Sequence, residues 1–325
     1  MNRILLLFLV FPLPGLLAAQ DLPQPAVTAD TVSLLYALKK GSIQGHARLF
    51  SMATDNTGAL SDYAATAIGG GIRYKSAGFH GFSIGLGGYF IYKLASSDLS
   101  KPDPLTNAAN RYEIGLFDIQ QAKNKSDMNR LEELFLQYQH QSLTVTVGKQ
   151  LPEMPFINQQ DGRMRATGID GLLLKWKTGK TGSLQAAYLW QISPRSTVRW
   201  FSIGESIGVY PMGQTVSGKP GDYQHNLQSK GVLITGWEQK IKKALTLQLW
   251  NQFTENIFNT ALLQTDLRLP LQPQTAFTAG FQLIRQDALH DGGNLDPAKT
   301  YFEKGGKSWV LGGSAGMDYH NWNAS

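Results

Sequence analysis

The stretch Leu143-Thr-Val-Thr-Val-Gly148 carries apolar residues at every second position, with small or polar residues between them. Leu245-Thr-Leu-Gln-Leu-Trp250 and Phe277-Thr-Ala-Gly-Phe-Gln-Leu283 repeat this alternation. Because successive side chains of a strand point to opposite faces, each stretch is predicted to be a β-strand with one apolar face. A soluble β-sandwich shows the same alternation, so a second observation is needed to choose between a sandwich and a membrane barrel.

The spacing of the runs supplies that observation. Twelve runs with period two are predicted, at 43–53, 63–75, 80–92, 131–140, 143–150, 169–177, 183–191, 228–240, 243–253, 258–268, 275–286 and 308–319. Short links follow the even-numbered runs and longer links follow the odd-numbered ones, except for the short ninth link. All long loops then leave from one rim, as in outer-membrane barrels with short periplasmic turns. The fold is therefore predicted to be all-β, a transmembrane antiparallel β-barrel.

The composition is compatible with this prediction. The 325 residues include 34 glycines, 10% aromatic residues and 17% charged residues, which is a low share for a soluble domain. Cysteine is absent, which excludes a disulfide scaffold, a thiolate metal site and a cysteine nucleophile. The net charge of +6 is spread along the chain without a lysine/arginine block, so no nucleic-acid partner is expected.

The N-terminus has the layout of an export signal. Met1-Asn2-Arg3 is a short positive region, residues 4–17 are apolar with interrupting prolines, and Ala18 and Ala19 are small residues suited to cleavage. Residues 1–19 are predicted to be a signal peptide and 20–42 a periplasmic leader. The barrel is predicted to occupy 43–325.

Aromatic residues agree with a membrane barrel. Near the strand ends of the face predicted to point outward lie Trp176, Tyr188, Trp190, Trp237, Trp309 and Tyr319. Such positions form the aromatic girdles at the two membrane interfaces.

On each strand, the side chains that alternate with the outward apolar ones are predicted to point into the bore. These side chains include more cations than anions. The predicted basic ladder of the lumen consists of Arg48, Arg73, Lys75, Lys175, Lys177 and Arg268. An excess of cations raises the local concentration of anions and attracts carboxylates or phosphates. The alternative is that these residues are solvated wall residues without a selective effect.

The link 151–168 combines turn formers, amides and two arginines. Its candidate pore-constriction residues are Asn158, Gln160, Asp161, Arg163 and Arg165. Prolines and Asp161-Gly162 define a specific backbone path. Guanidinium groups are suited to carboxylates because they donate two parallel hydrogen bonds. The alternative is an external loop whose arginines pair with nearby acids.

Several segments resemble the OprD family of outer-membrane porins, and they extend over most of 43–319. They are Gly45-His-Ala-Arg48, Ile68-Gly-Gly-Gly71, Arg130-Leu-Glu-Glu-Leu134, Gly148-Lys-Gln150, Pro155-Phe-Ile-Asn158, Gln160-Asp-Gly-Arg-Met164, Gly280-Phe-Gln282 and Gly292-Gly-Asn294. The resemblance implies a monomeric, eighteen-stranded, substrate-selective channel whose third external loop folds inward. It also implies a basic ladder along one wall, with Arg163 in the constriction. Family substrates are small solutes, often with carboxylates, such as amino acids, peptides and organic acids.

The chain departs from the family in length, because it contains about twelve strands and ends Asn321-Trp-Asn-Ala-Ser325. A closed twelve-stranded barrel is physically allowed. An unclosed sheet in lipid is not allowed, because its edges leave backbone amides unpaired. The favoured interpretation is an incomplete barrel that lacks some six strands.

The predicted function is passive diffusion of small, anionic or carboxylate-bearing solutes through the outer membrane, with no cofactor, no metal and no catalytic residue. The expected surroundings are outer-membrane lipid and lipopolysaccharide. Two alternatives stay open. One is an outer-membrane barrel enzyme of the lipase type, for which His140 and Ser142 are the candidates. The other is a plugged barrel that acts as an adhesin or structural anchor.

Overall fold

The computed structural model describes residues 33–319, except 122, 124–127, 158, 160–162, 211–212, 216 and 243, together with the backbone of 322–324. The predicted signal peptide and the leader up to residue 32 lie outside the described residues. The helical elements in the described residues are α1 (Leu34–Lys39), α2 (Ile203–Ser206) and a 3-10 helix (Glu113–Leu116). Among the described residues, no helix is long and apolar enough to cross a membrane.

The rest of the regular structure is β-sheet. The strands in the described residues are β1 (Ser42–Thr54), β2 (Tyr63–Lys75), β3 (Phe82–Ser96), β4 (Met128–His140), β5 (Leu143–Gln150), β6 (Gly168–Thr178), β7 (Gly182–Ser193), β8 (Phe201–Ser202), β9 (Val232–Ile241), β10 (Leu245–Thr254), β11 (Phe258–Gln272), β12 (Thr275–Ala288), β13 (Lys307–Tyr319) and β14 (Trp322–Ala324).

All strands belong to one antiparallel sheet. Its order follows the chain from β1 to β14, except that the short β8 pairs only with β7, so that β7 and β9 are neighbours. Among the described residues, no pairing joins β1 to the other end of this order, so the sheet is not closed. The all-β antiparallel fold predicted from the sequence is confirmed, whereas the interpretation as an incomplete barrel stays a prediction.

Each of the twelve predicted runs coincides with one long strand. The run predicted at 228–240 starts before the strand does, because β9 begins at Val232. Residues before it belong to a loop: the Gln228 N–H donates to the carbonyl of Gly293 at 3.2 Å, and the Lys230 N–H donates to Glu255 at 2.8 Å. Residues 228–231 are Gln-Ser-Lys-Gly and carry no apolar side chain, so nothing on them requires a buried strand face, and their backbone bonds to other loops instead.

The two faces of the sheet differ in burial as the alternation predicts. On β10, Leu249 is 45% exposed and the neighbouring Trp250 is 6% exposed. The outer face carries exposed apolar side chains, whereas long loops cover the face with the buried ones. We call the covered face the inner face. Of the predicted girdle residues, Trp237 is half-buried, and the exposed ones are Trp176, Tyr188, Trp190, Trp309 and Tyr319.

Two long loops lie against the inner face. The loop between β3 and β4 (97–127) buries Leu116 and Phe117 among residues of β2 and β3. The loop between β5 and β6 (151–167) buries Met154 and Ile157 among residues of β6 to β11. The apolar side chains of the β3–β4 loop hold it against the inner face, because burial there removes them from water.

Candidate functional site

The candidate site is built around the loop 151–167, which we call the constriction loop after the role predicted for it. Met154 and Ile157 exchange two backbone hydrogen bonds, of 2.9 and 3.1 Å, around the turn at Pro155 and Phe156. This tight turn brings both apolar side chains to one side, where they pack against the inner face. The inward direction implied by the family resemblance therefore has a local cause in this short apolar turn.

Arg165 is anchored in the wall. Its guanidinium carbon lies 3.6 Å from the centroid of the Tyr89 ring, and the group forms an ion pair with Glu132. Only 4% of Arg165 is exposed. Burial, followed by the nearby charge of Arg130, lowers the pKa of Arg165, while the Glu132 carboxylate favours its charged form.

The glycine run of β2 makes room for this stack. A Cβ atom on Gly69 would lie 2.6 Å from the Tyr89 hydroxyl and 2.9 Å from the Met164 methyl group. Tyr89 therefore crosses over β2 at a position without a side chain. The glycine run that contributed to the family resemblance has a structural explanation. The constriction loop packs on Tyr89, and the Tyr89 side chain fits over β2 only where β2 has a glycine.

Arg130 joins the constriction loop to two other segments. Its Nη1 donates to Ser193 Oγ at 2.8 Å and to the carbonyl of Thr197 at 3.3 Å. Its Nη2 donates to Glu132 Oε1 at 2.7 Å and to the carbonyl of Ala166 at 2.5 Å. A single 4%-exposed side chain thus links β4, the constriction loop and the loop after β7.

The position of Glu132 depends on a β-bulge. Gly87 pairs with Glu133 and Gly88 with Leu131, so Glu132 has no partner on β3. The extra residue places Glu132 and Glu133 on the same inner face while Leu131 and Leu134 stay exposed. Sequence reasoning missed Arg130 and Glu132 as site residues, although the two consecutive glutamates that break the alternation were a signal.

Arg163 connects the two inward loops. Its Nη1 donates to the carbonyl of Tyr112 at 2.9 Å, and the same atom lies so close to Gly115 that a Cβ there would be 2.0 Å away. Arg163 is half-buried and its φ is +35°, a geometry that few residues other than glycine adopt. Asn158, Gln160 and Asp161 lie outside the described residues. The constriction role of these three residues, of Arg163 and of Arg165 stays a prediction.

The residues of the predicted basic ladder lie on four strands. Arg48, Arg73 and Lys75 lie on β1 and β2, Lys175 and Lys177 on β6, and Arg268 on β11. All of these positions lie on the inner face of the sheet, and their role as a ladder stays a prediction.

Several ladder residues have partners on the inner face. Arg73 Nε lies 3.2 Å from Glu133 Oε2, and Lys75 Nζ donates to Gln137 Oε1 at 2.7 Å. Lys175 interacts electrostatically with Glu153 of the constriction loop. Cations with partners therefore extend from β2 to the constriction loop.

The far end of the sheet has a different inner face. Arg268 Nη2 lies 3.0 Å from Asp318 Oδ2. Amides and a carboxylate form linked hydrogen bonds, with Gln264 donating to Asp266 at 2.9 Å and Gln282 donating to Gln264 at 3.2 Å. The predicted ladder is thus concentrated on one part of the inner face, while amides dominate the other.

The candidates for a hydrolase have other contacts. The Ser142 hydroxyl accepts a hydrogen bond from the indole N–H of Trp176 at 3.2 Å, and the His140 ring stacks on Tyr138. His140 is the last residue of β4, and Ser142 belongs with Gln141, whose φ is +48°, to the two-residue turn that follows. Across the described residues, no group of three His, Cys, Asp or Glu side chains is arranged to hold a metal ion.

Comparison with protein families identifies the chain. Residues 41–302 match the family model described as outer membrane porin, OprD family. The chain belongs to the OprD family. It is therefore a protein of the outer membrane, and the family resemblance noted from the sequence is confirmed. A comparison with curated proteins found no match.

Solved porin structures have the fold of this OprD-family chain. OccK9 (OpdG) of Pseudomonas aeruginosa is 16% identical with a TM-score of 0.65, over 87% of this chain and 65% of that protein. OpdK of the same organism, solved with vanillate, is 15% identical with a TM-score of 0.60, over 87% and 64%. OccK2 (OpdF), solved with glucuronate, is 15% identical with a TM-score of 0.60, over 86% and 61%. The chain thus spans less than two thirds of the length of these porins.

Proposed function

We propose that this chain contributes the selective wall of a passive channel for small solutes with a carboxylate group. The observation that carries the proposal is the inward position of the constriction loop, with Arg163 bridging to Tyr112 and Lys175 interacting with Glu153. A solute that passes this loop meets the cations of β1, β2 and β6. Fixed cations in a narrow bore raise the concentration of anions and lower the barrier to their entry.

One chemical argument and one comparison support a carboxylate as the recognised group. Guanidinium groups hold carboxylates with two parallel hydrogen bonds. Vanillate and glucuronate, the molecules with which OpdK and OccK2 were solved, each carry one carboxylate. The proposal for this chain is therefore selection by charge and by size, without catalysis or a cofactor, in a monomer surrounded by outer-membrane lipid and lipopolysaccharide.

The test is single-channel recording in planar bilayers with protein purified from the native outer membrane. Under a salt gradient, we expect discrete current steps and a reversal potential on the anion side. Added glucuronate is expected to block the current more strongly than glucose, which has similar size and no charge. Equal effects of glucuronate and glucose would overturn selection for carboxylates.

The same recordings separate the alternatives. Silence from natively folded protein supports a plugged barrel, which binds partners through its loops. Ester hydrolysis that is lost in Ser142→Ala supports the barrel enzyme. Mass measurement of the protein in detergent tests the proposed monomer, which an assembly of two or more chains would contradict.

A further inference from the structure

The outer face carries a groove of about 760 Å³ that crosses the strands from β6 to β13. Its floor is a row of small or short side chains that are neighbours in register: Ala186 pairs with Thr235, Thr235 with Asn251, and Asn251 with Ala261. A row of short side chains leaves the backbone of the sheet open to the surroundings. The floor is therefore a depression in a face that otherwise carries large apolar groups.

One wall of this outer-face groove is a row of large apolar residues. On each strand they lie two positions nearer to the short turns than the floor residues do. In register order they are Trp176, Leu184, Trp237, Leu249, Leu263 and Leu283. Leu184 and Leu249 are 36% and 45% exposed, so the wall stands above the floor. Since this face belongs to a membrane protein, the groove is open to lipid chains.

The groove has a charged end. Arg285 on β12 is the register partner of Ala261 on β11, and Trp309 on β13 is the register partner of Arg285. Arg285 Nε and Nη2 each lie 2.8 Å from a carboxylate oxygen of Asp287, and its guanidinium carbon lies 5.0 Å from the centroid of the Trp309 ring. The Arg285 side chain is 41% exposed, and Nη1 takes no part in the pairing with Asp287.

A second cation makes this end electropositive. Lys307 is the register partner of Asp287, on the same outer face as Arg285. Two cations and one carboxylate leave one net positive charge beside the groove. This charge complements an anionic group at the end of an apolar chain.

The charged end lies towards the rim with the long loops. Leu174, at the other end of the groove, is four residues from the end of β6 at a short turn, whereas Arg285 is three residues from the end of β12 at the long link 289–306. Strands of membrane barrels tilt by roughly 35–45°, so a row that runs across them is inclined to the membrane normal. In an outer-membrane barrel with external long loops, the groove therefore rises from the periplasmic side towards the external surface.

We propose that the outer-face groove binds one acyl chain of the phosphorylated glycolipid of the outer leaflet, with a lipid phosphate held by Arg285 and Lys307. The apolar wall accepts the chain, the short side chains of the floor let it lie against the sheet, and the guanidinium donates hydrogen bonds to the phosphate. Arg285 is held in place by Asp287 and Trp309, so little side-chain entropy is lost on binding. The inference rests on the family and its membrane, and it is independent of the solute that the channel passes.

The test is lipid retention by the full chain, measured by native mass spectrometry in detergent. Lipid A, which is the phosphorylated glycolipid part of lipopolysaccharide, is added together with phosphatidylglycerol and phosphatidylethanolamine at equal concentrations. We expect lipid A to be retained most strongly, and Arg285→Gln to weaken its retention about tenfold, since a charge-assisted hydrogen bond is lost. Ala261→Trp fills the floor of the groove and is expected to weaken retention of lipid A as well.

Lys304→Gln is the matched control, because it removes the same charge from an external loop where Lys304 pairs with Asp291 at 2.7 Å. It is expected to retain lipid A as the unmodified chain does. Equal retention by Arg285→Gln and the unmodified chain would overturn the proposal, as would equal retention of lipid A and phosphatidylglycerol. Conductance is expected to be unchanged in Arg285→Gln, which separates this site from the bore.

Discussion

Arg73 of β2 and Glu133 of β4 form an ion pair of 3.2 Å across the intervening strand β3. The strand between them carries Gly87, where a Cβ would lie 3.0 Å from Glu133 Oε2 and 3.2 Å from Arg73 Cβ. A glycine in the middle strand lets the two side chains meet over it. One cation of the predicted ladder is thus partly neutralised by an acid that a β-bulge turns to the inner face.

Removal of this acid is expected to increase anion selectivity. Glu133→Gln leaves the charge of Arg73 uncompensated beside the bore, and the ratio of anion to cation permeability rises by up to about fivefold, equivalent to about 1 kcal/mol. The measurement is the reversal potential under a salt gradient. Glu303→Gln, which removes the same charge from an exposed external loop, is the control and leaves the potential unchanged. A shift of equal size in both variants contradicts a local effect.

Arg163 is expected to act through its charge and through its contact with Tyr112. Arg163→Ala lowers anion selectivity by roughly twofold to fivefold, because a cation leaves the constriction loop. Arg163→Lys keeps the charge and loses the fixed geometry of the guanidinium, so it is expected to retain most of the selectivity. An unchanged reversal potential in Arg163→Ala removes this residue from the constriction.

Arg130 is expected to contribute more to stability than the exposed ladder residues. Arg130→Met removes a donor from the Ser193 hydroxyl and from four backbone carbonyl groups, and it lowers the free energy of unfolding by about 3 kcal/mol. The measurement is the urea midpoint of unfolding from lipid vesicles. Arg268→Met breaks an ion pair whose arginine is 63% exposed, and its cost is expected to stay below about 1 kcal/mol. Similar midpoints for the two variants contradict a central role of Arg130.

Gly69 is expected to tolerate no side chain. Gly69→Ala forces the Tyr89 hydroxyl and the Met164 methyl group away from β2, and overpacking of this kind costs about 1–3 kcal/mol. Gly312→Ala is the matched control within a strand, because its nearest neighbour is 3.7 Å from the new Cβ. The thermal midpoint of unfolding is expected to fall only for Gly69→Ala. An unchanged midpoint in this variant would show that the Tyr89 side chain can move away from β2 without cost, which contradicts the prediction.

Asp118 is expected to make the stability of the β3–β4 loop depend on pH. Burial raises the pKa of its carboxyl group, against the hydrogen bond from the Gln120 N–H and the charge of Arg199. Because the folded pKa exceeds the unfolded one, the folded state binds the proton more tightly and gains stability as the pH falls through the folded pKa. The expected result is a higher thermal midpoint at mildly acidic pH than at neutral pH. In Asp118→Asn this dependence disappears, and an unchanged pH profile contradicts the assignment.

The strands were predictable from the sequence, and the detail of the inner face was not. Alternation located all twelve long strands because one face of each is apolar, and this requirement is local to the strand. Arg165 was found as a candidate because it lies between turn formers, but its stacking on Tyr89 was not. That contact depends on β3, which is more than sixty residues away in the chain.

The loop between β3 and β4 illustrates the same limit. Leu116 and Phe117 are apolar residues in an irregular segment, a pattern equally compatible with a loop at the mouth and with one inside the bore. Their burial against Ala67 and Ile91 requires that β2 and β3 are already paired. The inward position follows from the shape of the sheet, which no local pattern records.

The sequence by itself determined the strands, their short turns, the parity of the ladder cations and the family, because each depends on residues that are neighbours along the chain. Only the tertiary structure decided which charges have partners. Arg130, Glu132 and Arg165 meet because a β-bulge and an inward loop bring them together, and Arg73 meets Glu133 over a glycine. Charge pairing in the bore is a matter of distance between strands, which depends on register and packing.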